Sequence, residues 1–165
     1  MKKNVLMLLL IAGIVLVTCG SKENSKSTDP VLADFSLRSL DGNEIKLADT
    51  EGQVVLIDFW ATWCPPCRNS IPTFIRLYNK YHEHGFTILG IGLDDEQALL
   101  KYRDEVGIPY PVLIGNNDVA KAYGVTGIPK TIFVDRKGRV RKTQVGFAPE
   151  LEAQFDALID SLINE

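Results

Sequence analysis

Residues 54–60 read Val-Val-Leu-Ile-Asp-Phe-Trp and run directly into Ala-Thr-Trp-Cys-Pro-Pro-Cys at 61–67. A near-continuous apolar run of this length fits a strand buried on both faces, which requires helices on either side of a sheet. The residues that follow recur at helical spacing, at Ile71, Phe74, Ile75, Tyr78 and Tyr81, up to Gly85, a C-terminal stop. Strand, turn and helix are thus consecutive, with Cys64 and Cys67 at the seam. The same periodicities predict a second apolar strand over Phe86–Leu93 and a helix capped by Asp94 or Asp95 that ends at Gly107. A strand near Val112–Ile114, a short helix over Val119–Tyr123 and a strand over Thr131–Asp135 come next. The turn Arg136-Lys137-Gly138 leads into a strand over Val140–Thr143. Pro149 suits the first turn of a last helix with Leu151, Phe155, Leu158, Ile159 and Leu162 on one face. Ahead of all this, Phe35–Leu37 and Glu44–Leu47 flank Asp41-Gly42-Asn43, a hairpin signal. The fold class is α/β: a mixed central sheet covered by helices, with an N-terminal hairpin.

The first 30 residues are composed differently. Lys2 and Lys3 precede an unbroken apolar stretch, Val5–Val17, which at about 13 residues is short of the roughly 20 needed to span a bilayer. A positive start and a short apolar core fit a secretory signal. The stretch ends Leu16-Val17-Thr18-Cys19-Gly20, similar to a bacterial lipobox, where cleavage leaves a lipid-bearing Cys; Thr18 departs from the usual Gly, Ala or Ser. An uncleaved anchor is the alternative, and either places the rest of the chain outside the cytoplasm against a membrane. Residues 21–30 contain no apolar residue and read as a tether with an end-to-end distance of roughly 17 Å. The expected organisation is a signal at 1–18, a tether at 19–30 and one domain at 31–165. The formal charge of -3 becomes more negative when Lys2 and Lys3 leave, so a nucleic-acid partner is not expected.

Three cysteines are too few for a disulfide-stapled scaffold. Cys64 and Cys67, three residues apart on a first helical turn, put their sulfurs on one face with a Cα separation near 5.5 Å, within disulfide reach. The helix N-terminus offers unpaired N–H groups and a positive dipole end that stabilise a thiolate at Cys64. Cys67, one turn inside, is expected to be more buried. Cys64 is then the attacking thiol and Cys67 the resolving one. Other readings of the pair are a zinc site, for which four ligands are wanting, an inert structural disulfide and a copper-binding assembly factor. His82 and His84, two apart, face different sides of a helix end. No cofactor or metal is expected.

Val54–Cys67 in its strand–helix setting, and Gly127-Ile128-Pro129-Lys130-Thr131-Ile132-Phe133-Val134-Asp135 further on, resemble the thioredoxin superfamily. Ala33-Asp34-Phe35-Ser36-Leu37 and Asp41-Gly42-Asn43 are similar to the opening of its extracytoplasmic TlpA/ResA/CcmG-type thiol-disulfide oxidoreductases. The resemblance covers nearly all of 31–165. It implies a thioredoxin fold with a cis Ile128-Pro129 bond opposite the cysteines, leaving the Ile128 backbone free to pair with a substrate strand. It also implies protein thiols and disulfides as substrates, work as a reductant in processes such as cytochrome c maturation, and re-reduction by a membrane carrier of the CcdA or DsbD type. Trp63, Pro65, Pro66, Ile128 and Pro129 would form the substrate surface, and Trp60 would pack in the core. Peroxiredoxin-class peroxidases share the opening but need Pro and Thr where this chain has Ile57 and Ala61.

Asp58 is the one charged residue in the strand 54–60. Burial raises a carboxyl pKa and suits it to exchange a proton with a buried thiol. It falls where thioredoxin has its buried acid. Some ResA-like members carry a Glu three residues after the second Cys; here that place is Ser70, which leaves Asp58 as the candidate acid and puts specialised cytochrome-maturation substrate choice in question. A purely structural Asp58 is the alternative reading. Pro72 is expected to kink its helix, and Asp94, Asp95 and Glu96 to serve a helix cap in preference to a cation.

Overall fold

The computed structural model describes residues 32–165; the expected signal and tether, with Cys19, lie outside the described residues. The apolar run forms β3 (Val54–Trp60), buried at every position. It is the centre of a five-stranded sheet of order β5-β4-β3-β6-β7, made with β4 (Phe86–Gly92), β5 (Val112–Ile114), β6 (Lys130–Val134) and β7 (Val140–Val145). β4 runs parallel to β3 and to β5, whereas β6 is antiparallel to β3 and to β7. The sheet is therefore mixed, as expected. The hairpin is a separate antiparallel pair, β1 (Ser36–Arg38) and β2 (Glu44–Lys46).

Alternation along β3 sorts its side chains into two cores. Val54, Leu56 and Trp60 pack with Ile71, Phe74 and Leu77 of α1 (Pro65–Tyr81), Leu99 of α2 (Glu96–Val106) and Phe155, Ile159 and Leu162 of α4 (Leu151–Ile163). Val55, Ile57 and Phe59 pack on the other side with Phe35 and Leu37 from the hairpin and with Val119 and Tyr123, the latter at the end of α3 (Asn117–Ala122). Gly85 and Gly107, with φ of 81° and 71°, take the left-handed conformation that ends the helical segments before them.

Strand ends shift by a residue or two, and two helix starts differ from expectation. α3 begins two residues early because the Asn116 side chain accepts from the Val119 N–H at 2.9 Å and caps it there. Pro149 lies before α4, ahead of Glu150 at the N-cap, and not in its first turn. α1 runs to Tyr81 with Pro72 inside it, as the helical spacing predicts, since a missing N–H removes only one bond of the ladder. Among the described residues no helix is long and apolar enough to cross a membrane.

Candidate active site

β3 delivers the chain to α1 at its C-terminal end, and Cys64 is the N-cap of that helix with φ -93° and ψ 106°. Pro65 and Pro66 occupy the first two helical positions, where a missing N–H removes no helix bond. The first N–H the helix can offer is that of Cys67, which donates to Cys64 Sγ at 3.3 Å. The two cysteines form a disulfide with a Cα separation of 5.3 Å. Cys67 is wholly enclosed and Cys64 retains 4% exposure, so of the two Cys64 is the one that solvent still reaches.

The Ile128–Pro129 bond is cis, and the Ile128 carbonyl oxygen lies 3.7 Å from Cys64 Sγ. That loop is held from behind by Lys130, whose ammonium donates to the carbonyls of Tyr123 and Gly124 at 2.6 and 2.8 Å. Pro65 and Pro66 are exposed, Ile128 is half-buried and Pro129 is buried. Trp63 stands 66% exposed beside Cys64, whereas Trp60 is buried at 1%. The segment between them is fastened by Asp94, which accepts from the Thr62 hydroxyl and, at 3.2 Å, from the Thr62 N–H.

Asp58 is 1% exposed and lies on the α1 side of the sheet, the same layer as Cys67. Its Oδ1 accepts a hydrogen bond from the Thr131 hydroxyl at 3.1 Å. Burial pushes its pKa up to about 7, against a smaller opposing effect of the Thr131 bond. A carboxyl that titrates there can both take and return a proton near neutrality.

The candidate acidic cluster divides its work. Asp95 caps α2, accepting from the N–H groups of Gln97 and Ala98 at 3.0 and 3.2 Å. Asp94 holds Thr62, and Glu96 pairs with Arg38 at 2.6 Å. His82 and His84 are exposed in a single 3₁₀ turn after α1. The parts played by Thr131 and Asp94 were not legible, because each meets its partner across the fold and not along the chain; Lys130 braces its own stretch of chain, through a side-chain bond that leaves no periodic signal.

A family model described as AhpC/TSA matches residues 30–143. The thiol-disulfide oxidoreductase ResA of Geobacillus thermodenitrificans is 31% identical over 149 residues, covering 87% of this chain and 86% of that protein. ResA of Halalkalibacterium halodurans is 33% identical, over 76% of this chain and 73% of its own. Among solved structures, one from Chlorobium tepidum assigned as a thiol:disulfide interchange protein DsbE superposes with a TM-score of 0.78 at 32% identity, covering 82% of this chain and 96% of that one. A thioredoxin family thiol:disulfide interchange protein from Chlorobium tepidum TLS gives 0.76 at 28%, covering 84% and 99%.

Proposed function

This chain belongs to the AhpC/TSA family and is a thiol-disulfide oxidoreductase with a thioredoxin fold, and from that premise we propose that it reduces protein disulfides outside the cytoplasm while held to a membrane by lipid on Cys19. The observation that carries the reading is the pair itself. Cys64 caps a helix and keeps the small residual exposure of the pair, and Cys67 is wholly buried one turn behind it and bonded to it. In the reduced protein the Cys64 thiolate attacks a substrate disulfide, forming a mixed disulfide and releasing one substrate thiolate. Cys67 gives its proton to Asp58 and attacks Cys64 Sγ, which expels the second substrate thiolate. Two electrons have then passed to the substrate, and the Cys64–Cys67 disulfide remains to be reduced again, for which a membrane carrier of the CcdA or DsbD type is the partner.

The exposed Trp63 with Pro65, Pro66 and the Ile128–Pro129 loop forms the surface on which an extended substrate segment lies, beside the free Ile128 carbonyl. Cytochrome c precursors are candidate substrates, and Ser70 in place of an acid argues for a broader set. A peroxidase would need a Thr where the buried Ala61 stands.

Direction is argued from the helix start. Two prolines leave the Cys67 N–H as the donor to Cys64 from the first turn. A less stabilised thiolate makes the reduced form less favoured and lowers the potential toward about -270 mV, as in thioredoxin, and away from about -120 mV, as in DsbA. Equilibration with glutathione tests it: a potential near the upper value reverses the physiological direction. Acid-quench trapping of Cys67→Ser in cells, followed by identification of the captured protein, tests the substrate class.

A further inference from the structure

Asp58 on β3 and Gly90 on β4 lie directly opposite each other in the parallel register, so a side chain at 90 would stand beside the carboxyl. Gly90 supplies none. A Cβ placed there would come within 3.2 Å of Tyr110 Cε2, 3.3 Å of Trp60 Nε1 and 3.7 Å of the Pro111 carbonyl oxygen. The space flanking the acid is therefore already taken by an aromatic wall. Tyr110 is 4% exposed, and its ring meets Tyr78 of α1 edge-on at 5.8 Å. Its own chain is pinned to β4, since the Gly90 N–H donates to the Pro111 carbonyl at 3.0 Å. On the β6 side the acid meets the Thr131 hydroxyl. Asp58 thus has the Thr131 hydroxyl on one flank and, on the other, the Tyr110 ring beside the Trp60 indole.

We propose that Tyr110 is a positioning residue for the Asp58 proton step, its ring seated in the space that Gly90 leaves and closing the β4 side of the carboxyl to water. The inference rests on Asp58 accepting the Cys67 proton. The ring does this work, because the ring edge is what meets the Gly90 position. The groups that face Asp58 are few. β4 presents Gly90 and β6 presents Thr131; the loop before β5 presents Tyr110, with Tyr102 of α2 behind it; the α1 layer holds Cys67, which titrates only once the disulfide opens. Burial and the Asp58 charge both raise the Tyr110 hydroxyl pKa well above its usual value, so Tyr110 stays neutral while Asp58 titrates.

Two readouts on the full chain separate this from a merely structural part. In the oxidised protein, where neither cysteine titrates, carboxyl ¹³C NMR follows Asp58 directly. In the reduced protein, single-turnover Trp fluorescence gives the pH profile of mixed-disulfide resolution. Tyr110→Leu is expected to admit water and lower the Asp58 midpoint from about 7 by about one pH unit or more, and the resolution profile should move with it. Tyr110→Phe keeps the ring and should restore both to the wild-type position. If Tyr110→Leu does not fold, Tyr110→Met, nearer in volume, carries the same expectation. A folded Leu or Met variant with an unmoved Asp58 midpoint overturns the proposal, as does a Phe variant that shifts as far as Leu. A moved carboxyl midpoint with an unmoved resolution profile overturns the proton role of Asp58 instead, leaving Tyr110 as a seal around a structural acid.

Discussion

Cys64 and Cys67 are one helical turn apart, and their difference in exposure separates their roles. Cys64→Ser is expected to abolish disulfide reduction, whereas Cys67→Ser should still attack and then accumulate mixed disulfides through Cys64. Iodoacetamide labelling of the reduced protein, read by mass, checks the order of reactivity; faster alkylation of Cys67 would reverse the assignment. Trp63 offers a second test at this scale. With 66% of it exposed it contributes little to the core, so Trp63→Ala should change stability by no more than about 0.5 kcal/mol. It should nevertheless raise KM for a protein disulfide several-fold while leaving reduction of a small aromatic disulfide nearly unchanged. Equal loss on both substrates would remove Trp63 from the docking surface. Asp58 was legible in the sequence because a charge inside a seven-residue apolar run has nowhere dry to go without a shifted pKa. Thr131, its partner, was not: it lies 73 residues away and is brought alongside only by the antiparallel register of β3 and β6.

The N-terminus of α1 sets how far the Cys64 thiolate is stabilised, and the prolines in its first turn limit that. Pro66→Ala restores one N–H at the second helical position, where a capping side chain finds its donors. It should lower the Cys64 thiol pKa and raise the potential of the couple, read by glutathione equilibration. A fall in potential would show that the prolines act through the loop and not through the missing donor. The elements themselves were largely readable because each has a local cause. β3 has its apolar run, α1 its period, and α2 a cap at Asp95 and a stop at Gly107. What could not be read was whatever one element supplies to another: the fastening of Thr62 by Asp94, the bracing of the Ile128–Pro129 loop by Lys130, and the Tyr110 ring beside Gly90. A glycine inside an apolar strand is a known sign of close approach, and Gly90 carried that signal, but not the identity of what approaches. The start of α3 moved for a related reason, since an Asn cap two residues upstream outweighed the apolar period.

For the whole molecule, two buried carboxyls give stability opposite dependences on pH. Asp135 is 4% exposed, accepts from the N–H groups of Lys137 and Arg139 at 2.9 and 3.0 Å and pairs with the Arg139 guanidinium at 2.7 Å. These partners outweigh burial and draw its pKa down to about 2. Its contribution, roughly 1–2 kcal/mol after allowance for the exposed arginine, is present above the ordinary carboxylate range and is lost as pH falls toward 2. Asp58 works the other way. Its pKa is raised to about 7 from 3.8, so the folded state binds its proton more tightly than the unfolded state does. Its titration adds no cost below about pH 4, where both states hold the proton. Between about 4 and 7 the unfolded chain ionises first, and stability falls by on the order of 4 kcal/mol. The oxidised protein should therefore be most stable near pH 4–5 and weaker at pH 8, unlike a domain whose carboxyls are all paired. Asp58→Asn keeps an oxygen for the Thr131 hydroxyl but cannot ionise, so it should match wild type near pH 4 and exceed it by a few kcal/mol at pH 8, shifting the maximum toward neutrality. Urea unfolding of both oxidised proteins at pH 4, 5.5, 7 and 8.5 measures the difference directly. A gap between them that stays constant across that range would mean that Asp58 has the same pKa folded and unfolded, and with the raised pKa would go the proton transfer assigned to it.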